Sequence, residues 1–202
     1  MNPARQMIRS ARSAVRSALC AVERRLHPMR HRRSLQRLHK HLPARRITFV
    51  CLGNICRSPY AAESLRAQLE SMNLPDAARV PELASVGLIN PGLPSPETAR
   101  RVAAERGVSL DDHRSRVLDA HPRGEDEIFI TMTAQQVRAV RRRVRGPLVL
   151  SLGDLDPGPI PRRDVVDPYG GGPDRFREVY ERIDRALYFL GSEITHAQES
   201  GR

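Results

Sequence analysis

Apolar positions along the chain fall into two alternating rhythms, short unbroken runs and stretches with a spacing of three or four residues. The runs Ile47 to Val50, Leu83 to Val86, Glu127 to Met132 and Pro147 to Leu152 read as buried strands. Between and after them the helical spacing marks Ala61, Ala62, Leu65 and Leu69, then Pro96 to Arg106, Ala134 to Arg143 and Pro173 to Ile194. Ser58 as cap, Pro59 in the first turn and the early acid Glu63 predict where the first of these helices begins. Alternation of this kind predicts an α/β fold with a parallel sheet.

Ahead of the first strand the pattern changes. Ile8, Ala11, Val15, Leu19, Val22 and Leu26 recur at helical spacing beside Arg5, Arg9, Arg12 and Arg16, so residues 5–27 read as a basic amphipathic helix. Pro28 is expected to end it, and a second, shorter helix with Leu35 and Leu38 is expected from His31 to His41. Charge draws the same boundary. Residues 1–46 hold 13 Lys and Arg against the single acid Glu23, or +12, and the remainder holds 21 bases and 22 acids, or −1. The sequence therefore divides into a basic extension or disordered arm, 1–44, and a near-neutral domain, 45–202. Residues 5–27 fit an anionic membrane surface or an acidic partner; having no aromatic residue to stack on bases, the arm speaks against nucleic acid. No stretch reaches the roughly 18 apolar residues of a membrane span, and no compact apolar signal segment stands at the start, so a cytoplasmic location is expected, peripheral to the membrane where the arm docks.

Three cysteines, Cys20, Cys51 and Cys56, make no disulfide framework and lack zinc-ligand spacing, which turns attention to reactivity. Cys51-Leu52-Gly53-Asn54-Ile55-Cys56-Arg57-Ser58-Pro59 sets a thiol and a guanidinium six positions apart on a loop entering a helix. Converging backbone N–H groups and a helix N-terminus suit a phosphate dianion, and Gly53 lets the backbone approach it. Arg57 can clamp two phosphate oxygens, more tightly as charge spreads in the transition state. The same dipoles and Arg57 favour the Cys51 thiolate as nucleophile, with Ser58 as hydrogen-bond donor to the sulfur. A leaving phenolate needs an acid, and Asp167 in Asp164-Val-Val-Asp-Pro-Tyr169 is the best candidate, returning later as base toward water.

The Cys51 to Pro59 string and the late Asp167-Pro168-Tyr169 resemble the low-molecular-weight protein tyrosine phosphatase family over residues 46 to 194. The resemblance implies a four-stranded parallel sheet flanked by helices, a phosphocysteine intermediate on Cys51 within a Cys-X5-Arg loop, phosphate held by residues 52–58, and no metal or organic cofactor. It implies a phosphotyrosine protein as substrate, a bacterial tyrosine kinase being a fitting one. Asn54, Ser58, Ser85 and His113 match the network that supports the loop, Cys56 matches a second cysteine able to protect the nucleophile by a reversible disulfide, and Tyr169 matches a wall of the substrate pocket. The match departs in two places: the loop from Leu88 to Pro94 lacks the usual aromatic residue, and Gly170 replaces a second tyrosine. Two other functions compete. A protein arginine phosphatase of the same family carries Thr where this chain has Ile55, and a basic-arm nucleic-acid or phosphate binder would have an inactive domain.

Overall fold

The structure, a computed structural model, describes residues 3–72, 80–121, 124 and 126–200, with side chains from residue 17 to residue 198. Four parallel strands form one sheet in the order β2-β1-β3-β4: β1 (Arg46–Val50), β2 (Glu82–Val86), β3 (Glu127–Thr131) and β4 (Leu148–Ser151). All four stand within a residue or two of the runs that foretold them.

Burial on both faces explains why these strands read as continuous runs rather than as alternations. Ile47, Phe49, Ile128, Ile130, Leu148 and Leu150 point to one side, into the larger core. There they meet α2 (Arg57–Ser71), α3 (Glu97–Ala104) and α6 (Pro173–Ser200) through Leu65, Leu69, Val102, Tyr180 and Leu187. Val50, Val86, Phe129 and Val149 point the other way, onto Val137, Val140 and Val144 at α4 (Ala134–Arg143). A one-turn helix, α5 (Leu152–Leu155), follows β4. The chain winds to opposite sides of β1, and the C-terminal ends of its strands therefore open on the crevice where such sheets bind ligands.

Two helix boundaries differ from expectation. Helix α2 starts at Arg57, with Cys56 in the capping position and no side-chain cap, because the Ser58 hydroxyl is committed to Cys51 instead. The larger correction concerns the N-terminus. Pro28 does not end a helix: α1 runs unbroken through it from Pro3 to His39, replacing the two helices expected. A mid-helix proline loses one hydrogen bond and costs about 3 kcal/mol, so docking must hold the helix on both sides. His27 donates from Nε2 to the Asp156 carbonyl at 2.8 Å, His31 bonds the Asp154 carbonyl through Nδ1 at 3.0 Å, and Leu38 is fully buried in the larger core. From His27 onward the extension is thus built into the body. The side chains of Arg5, Ile8, Arg9, Ala11, Arg12, Val15 and Arg16 lie outside the described residues.

Truncating the anchor tests this docking. Leu38→Ala is expected to lower unfolding stability by about 2–5 kcal/mol, whereas Leu19→Ala, at a position 61% exposed, should stay within about 0.5 kcal/mol. Urea denaturation of the two variants against the parent chain reads the difference.

Candidate active site

The loop from Cys51 to Cys56 leaves the end of the central strand β1 and feeds directly into α2. Its shape turns on Asn54, which sits in the left-handed region at φ 53°, a conformation that asparagine tolerates better than most residues. That turn aims the Asn54 backbone N–H at Cys51 Sγ, 3.2 Å away. The side chain is fully employed in holding the turn. Its Nδ2 donates to Ser58 Oγ and to Ser85 Oγ, both at 2.9 Å, and its Oδ1 accepts the Arg116 N–H at 2.8 Å. Behind it, His113 Nε2 donates to the Asn54 carbonyl at 2.7 Å. Burial lowers the proton affinity of His113, with the bond to Asn54 opposing the shift.

Having accepted from Asn54, Ser58 directs its own proton to Cys51 Sγ at 3.0 Å; the Val86 carbonyl lies farther off, at 3.4 Å. The sulfur thus accepts two hydrogen bonds, a role that a thiolate fills best. Gly87, just past β2, is what allows this closeness. A Cβ there would stand 2.9 Å from the Leu52 carbonyl oxygen and 3.0 Å from Asn54 Cβ, too near for any other residue. Gly53 is under no such pressure, since a Cβ on it would meet nothing nearer than Ile55 at 3.6 Å.

Arg57 opens α2 with its side chain only 4% exposed. Nη1 donates to the Val165 carbonyl at 3.0 Å, Nη2 pairs with Asp167 Oδ2, and Nε is buried with no partner. Asp167 is wetter, 42% exposed at the mouth, and its Oδ1 accepts the Tyr169 N–H at 3.2 Å. The Asp-Pro turn is therefore both a turn and part of the site.

A cleft of about 230 Å³ gathers these groups: Cys51, Leu52, Gly53, Ile55, Cys56, Arg57, Asp167 and Tyr169 all line it. Asn54, Ser58, Ser85 and His113 stand behind the loop, where the support network was expected. The sequence reading passed over the far wall. Ile89, Asn90 and Leu93 complete the cleft, and the loop that carries them had been noted only for its lack of an aromatic ring. Ile89 and Leu93 are 42% and 43% exposed, so the available signal was a pair of aliphatic residues around an Asn-Pro-Gly turn. Cys56 is 3% exposed, and burial, then its proximity to Cys51, pushes its thiol far up, so it stays protonated. Among the described residues no cluster of three or more His, Cys, Asp or Glu side chains is arranged to hold a metal ion.

Fold and site together define a protein with a Cys-X5-Arg loop at the crevice of a doubly wound parallel sheet. Comparison with known proteins makes the assignment specific. Residues 46–200 match the family model described as low molecular weight phosphotyrosine protein phosphatase. The low molecular weight protein-tyrosine-phosphatase Etp of Escherichia coli K12 is 35% identical over 143 residues, which cover 69% of this chain and 88% of Etp. The crystal structure of the Erwinia amylovora tyrosine phosphatase AmsI aligns with a TM-score of 0.57 at 31% identity, covering 72% of this chain and 90% of that one. The YwlE arginine phosphatase from Geobacillus stearothermophilus aligns with a TM-score of 0.63 at 26% identity, covering 79% and 98%. The chain belongs to the low-molecular-weight protein tyrosine phosphatase family.

His113 gives the site a pH signature. Its folded proton affinity lies below the ordinary value near 6.5, so the unfolded chain binds that proton more readily. Its contribution is intact above about pH 6.5 and is lost as pH falls through that value toward the folded one. The urea midpoint should fall between pH 7.5 and 5.5 in the parent chain, and His113→Gln should flatten that slope.

Proposed function

We propose that the chain hydrolyses phosphotyrosine in proteins through a phosphocysteine on Cys51. One observation carries the reading: Cys51, Arg57 and Asp167 line a single cleft, with Arg57 paired to Asp167. In the proposed reaction Sγ attacks phosphorus, the bond from phosphorus to the phenolic oxygen breaks, and Asp167 delivers a proton to that oxygen. Loop N–H groups and Arg57 hold the equatorial oxygens, the unpartnered Arg57 Nε being one donor already free for them. Water then attacks phosphorus, Asp167 takes its proton, and the P–S bond breaks to return the sulfur. No step needs a metal.

The wall favours a flat substrate. Ile55, Ile89 and Leu93 supply apolar surface and Tyr169 an exposed ring, which suits an aryl ester better than the charged guanidinium of phosphoarginine. Turnover of phosphotyrosine peptide is expected to exceed that of phosphoserine and phosphoarginine peptides by at least about tenfold. Asp167→Asn should lower kcat on phosphotyrosine by roughly 10² to 10⁴, and Cys51→Ser should abolish it. Phosphoarginine turning over faster would overturn the substrate assignment.

For the extension, the observation is a stripe of exposed apolar side chains on α1: Leu19, Val22, Leu26 and Met29, 38% to 61% exposed. Exposed Arg24, Arg25, Arg32 and Arg33 share the helix. An apolar stripe with a cationic surround complements an anionic membrane surface. The full chain is expected to co-sediment with phosphatidylglycerol vesicles but not with phosphatidylcholine, and Leu19→Asp with Val22→Asp should release it. Equal binding by that double variant would sink the membrane reading.

A further inference from the structure

Away from the cleft, the docked half of α1 closes a second pocket of about 220 Å³ against α4 and the edge strand β4. Four guanidinium side chains line it, Arg37 from α1, Arg138 and Arg141 from α4, and Arg163, against one carboxylate, Asp154. That carboxylate is already answered: Arg163 holds both its oxygens, Nε to Oδ1 at 2.8 Å and Nη2 to Oδ2 at 2.6 Å. Arg141 is steadied by donation to the Val149 carbonyl at 3.1 Å, and Arg37 lines the same pocket. Desolvation first, and the charge of Arg141 second, lower the proton affinity of Arg37.

A second and independent feature points the same way. Ser151, at the end of β4, also lines the pocket; it is 1% exposed and its Oγ is buried with no hydrogen-bond partner. A buried hydroxyl without a partner and unopposed guanidiniums around one small cavity have a common remedy, a compact oxyanion that accepts from all of them. We propose that this pocket is a binding site for a phosphate monoester or orthophosphate dianion, held by Arg37, Arg138 and Arg141 and by the Ser151 hydroxyl. It lies on the β4 side of the sheet, two strands from the Cys51 loop on β1, and exists only because α1 packs there. Free orthophosphate and a monoester lipid headgroup share the chemistry that the pocket recognises.

Equilibrium dialysis of the full chain against radiolabelled orthophosphate counts the sites. Two equivalents are expected, one in the catalytic cleft and one here. In Arg37→Ala with Arg141→Ala the count should fall to one, with kcat/KM on aryl phosphate within about twofold of the parent. Ser151→Ala should keep the second equivalent but bind it about tenfold more weakly, the worth of a hydrogen bond to a charged group. A single equivalent in the parent chain, or two undiminished in the double arginine variant, would overturn the proposal. Retained aryl phosphatase activity in either case would leave the catalytic reading standing, so the two fail separately. A vesicle arm identifies the source. Tighter binding to phosphatidic acid than to phosphatidylglycerol, lost in the double arginine variant, points to a lipid headgroup; equal binding with two dialysis equivalents points to free phosphate.

Discussion

The guanidinium of Arg57 is held almost wholly out of water, and a buried cation is tolerable only where oxygens answer it. Much of the molecule is arranged to bring those oxygens. The Val165 carbonyl and the Asp167 carboxylate come from one segment, which other elements hold in place. Met132, after β3, accepts the Val165 N–H at 2.8 Å; the first N–H of α4, from Ala134, donates to Asp164 at 2.8 Å; and Arg182 on α6 donates to the Asp164 carbonyl at 2.7 Å. The β3–α4 junction and α6 thus hold the segment that answers one charge. The proposed reaction uses the same charge, because a phosphate dianion can take over the bond that Asp167 makes, leaving that carboxyl beside the departing oxygen.

On the other side of the cleft the constraint is geometric. Asn54 must remain left-handed for its N–H to reach Cys51, and its side chain ties the loop to α2, to β2 and to the segment around Arg116. Gly87 adds a steric condition on the same loop. Cys51 and Arg57 are held by buried neighbours, whereas Asp167 and Tyr169 sit on the wetter rim. That division suits catalysis, in which the donors are set in advance and the acid has to approach different leaving groups.

Much of this was legible because the relevant signals are local. A strand buried on both faces shows as an apolar run, which found β1 through β4, and a Cys-X5-Arg string between strand and helix names its own chemistry. What escaped is what depends on tertiary context. Pro28 is a breaker on propensity alone, yet His27 and His31 find carbonyl partners more than 120 residues away, and nothing in the local sequence announces them. Ser58 looks like a helix cap until the sulfur of Cys51 competes for its proton. Gly87 and the aliphatic wall of Ile89 and Leu93 matter through what stands opposite them, which a linear reading cannot supply.

Attack by the Cys51 sulfur on phosphorus is the step on which the catalytic reading stands. Rapid quenching of the enzyme with radiolabelled aryl phosphate tests it directly. Label should appear on Cys51 within the first turnover, accumulate to near one equivalent in Asp167→Asn when an activated leaving group needs no acid, and be missing from Cys51→Ala. Turnover without labelled cysteine, or label retained in Cys51→Ala, would contradict it.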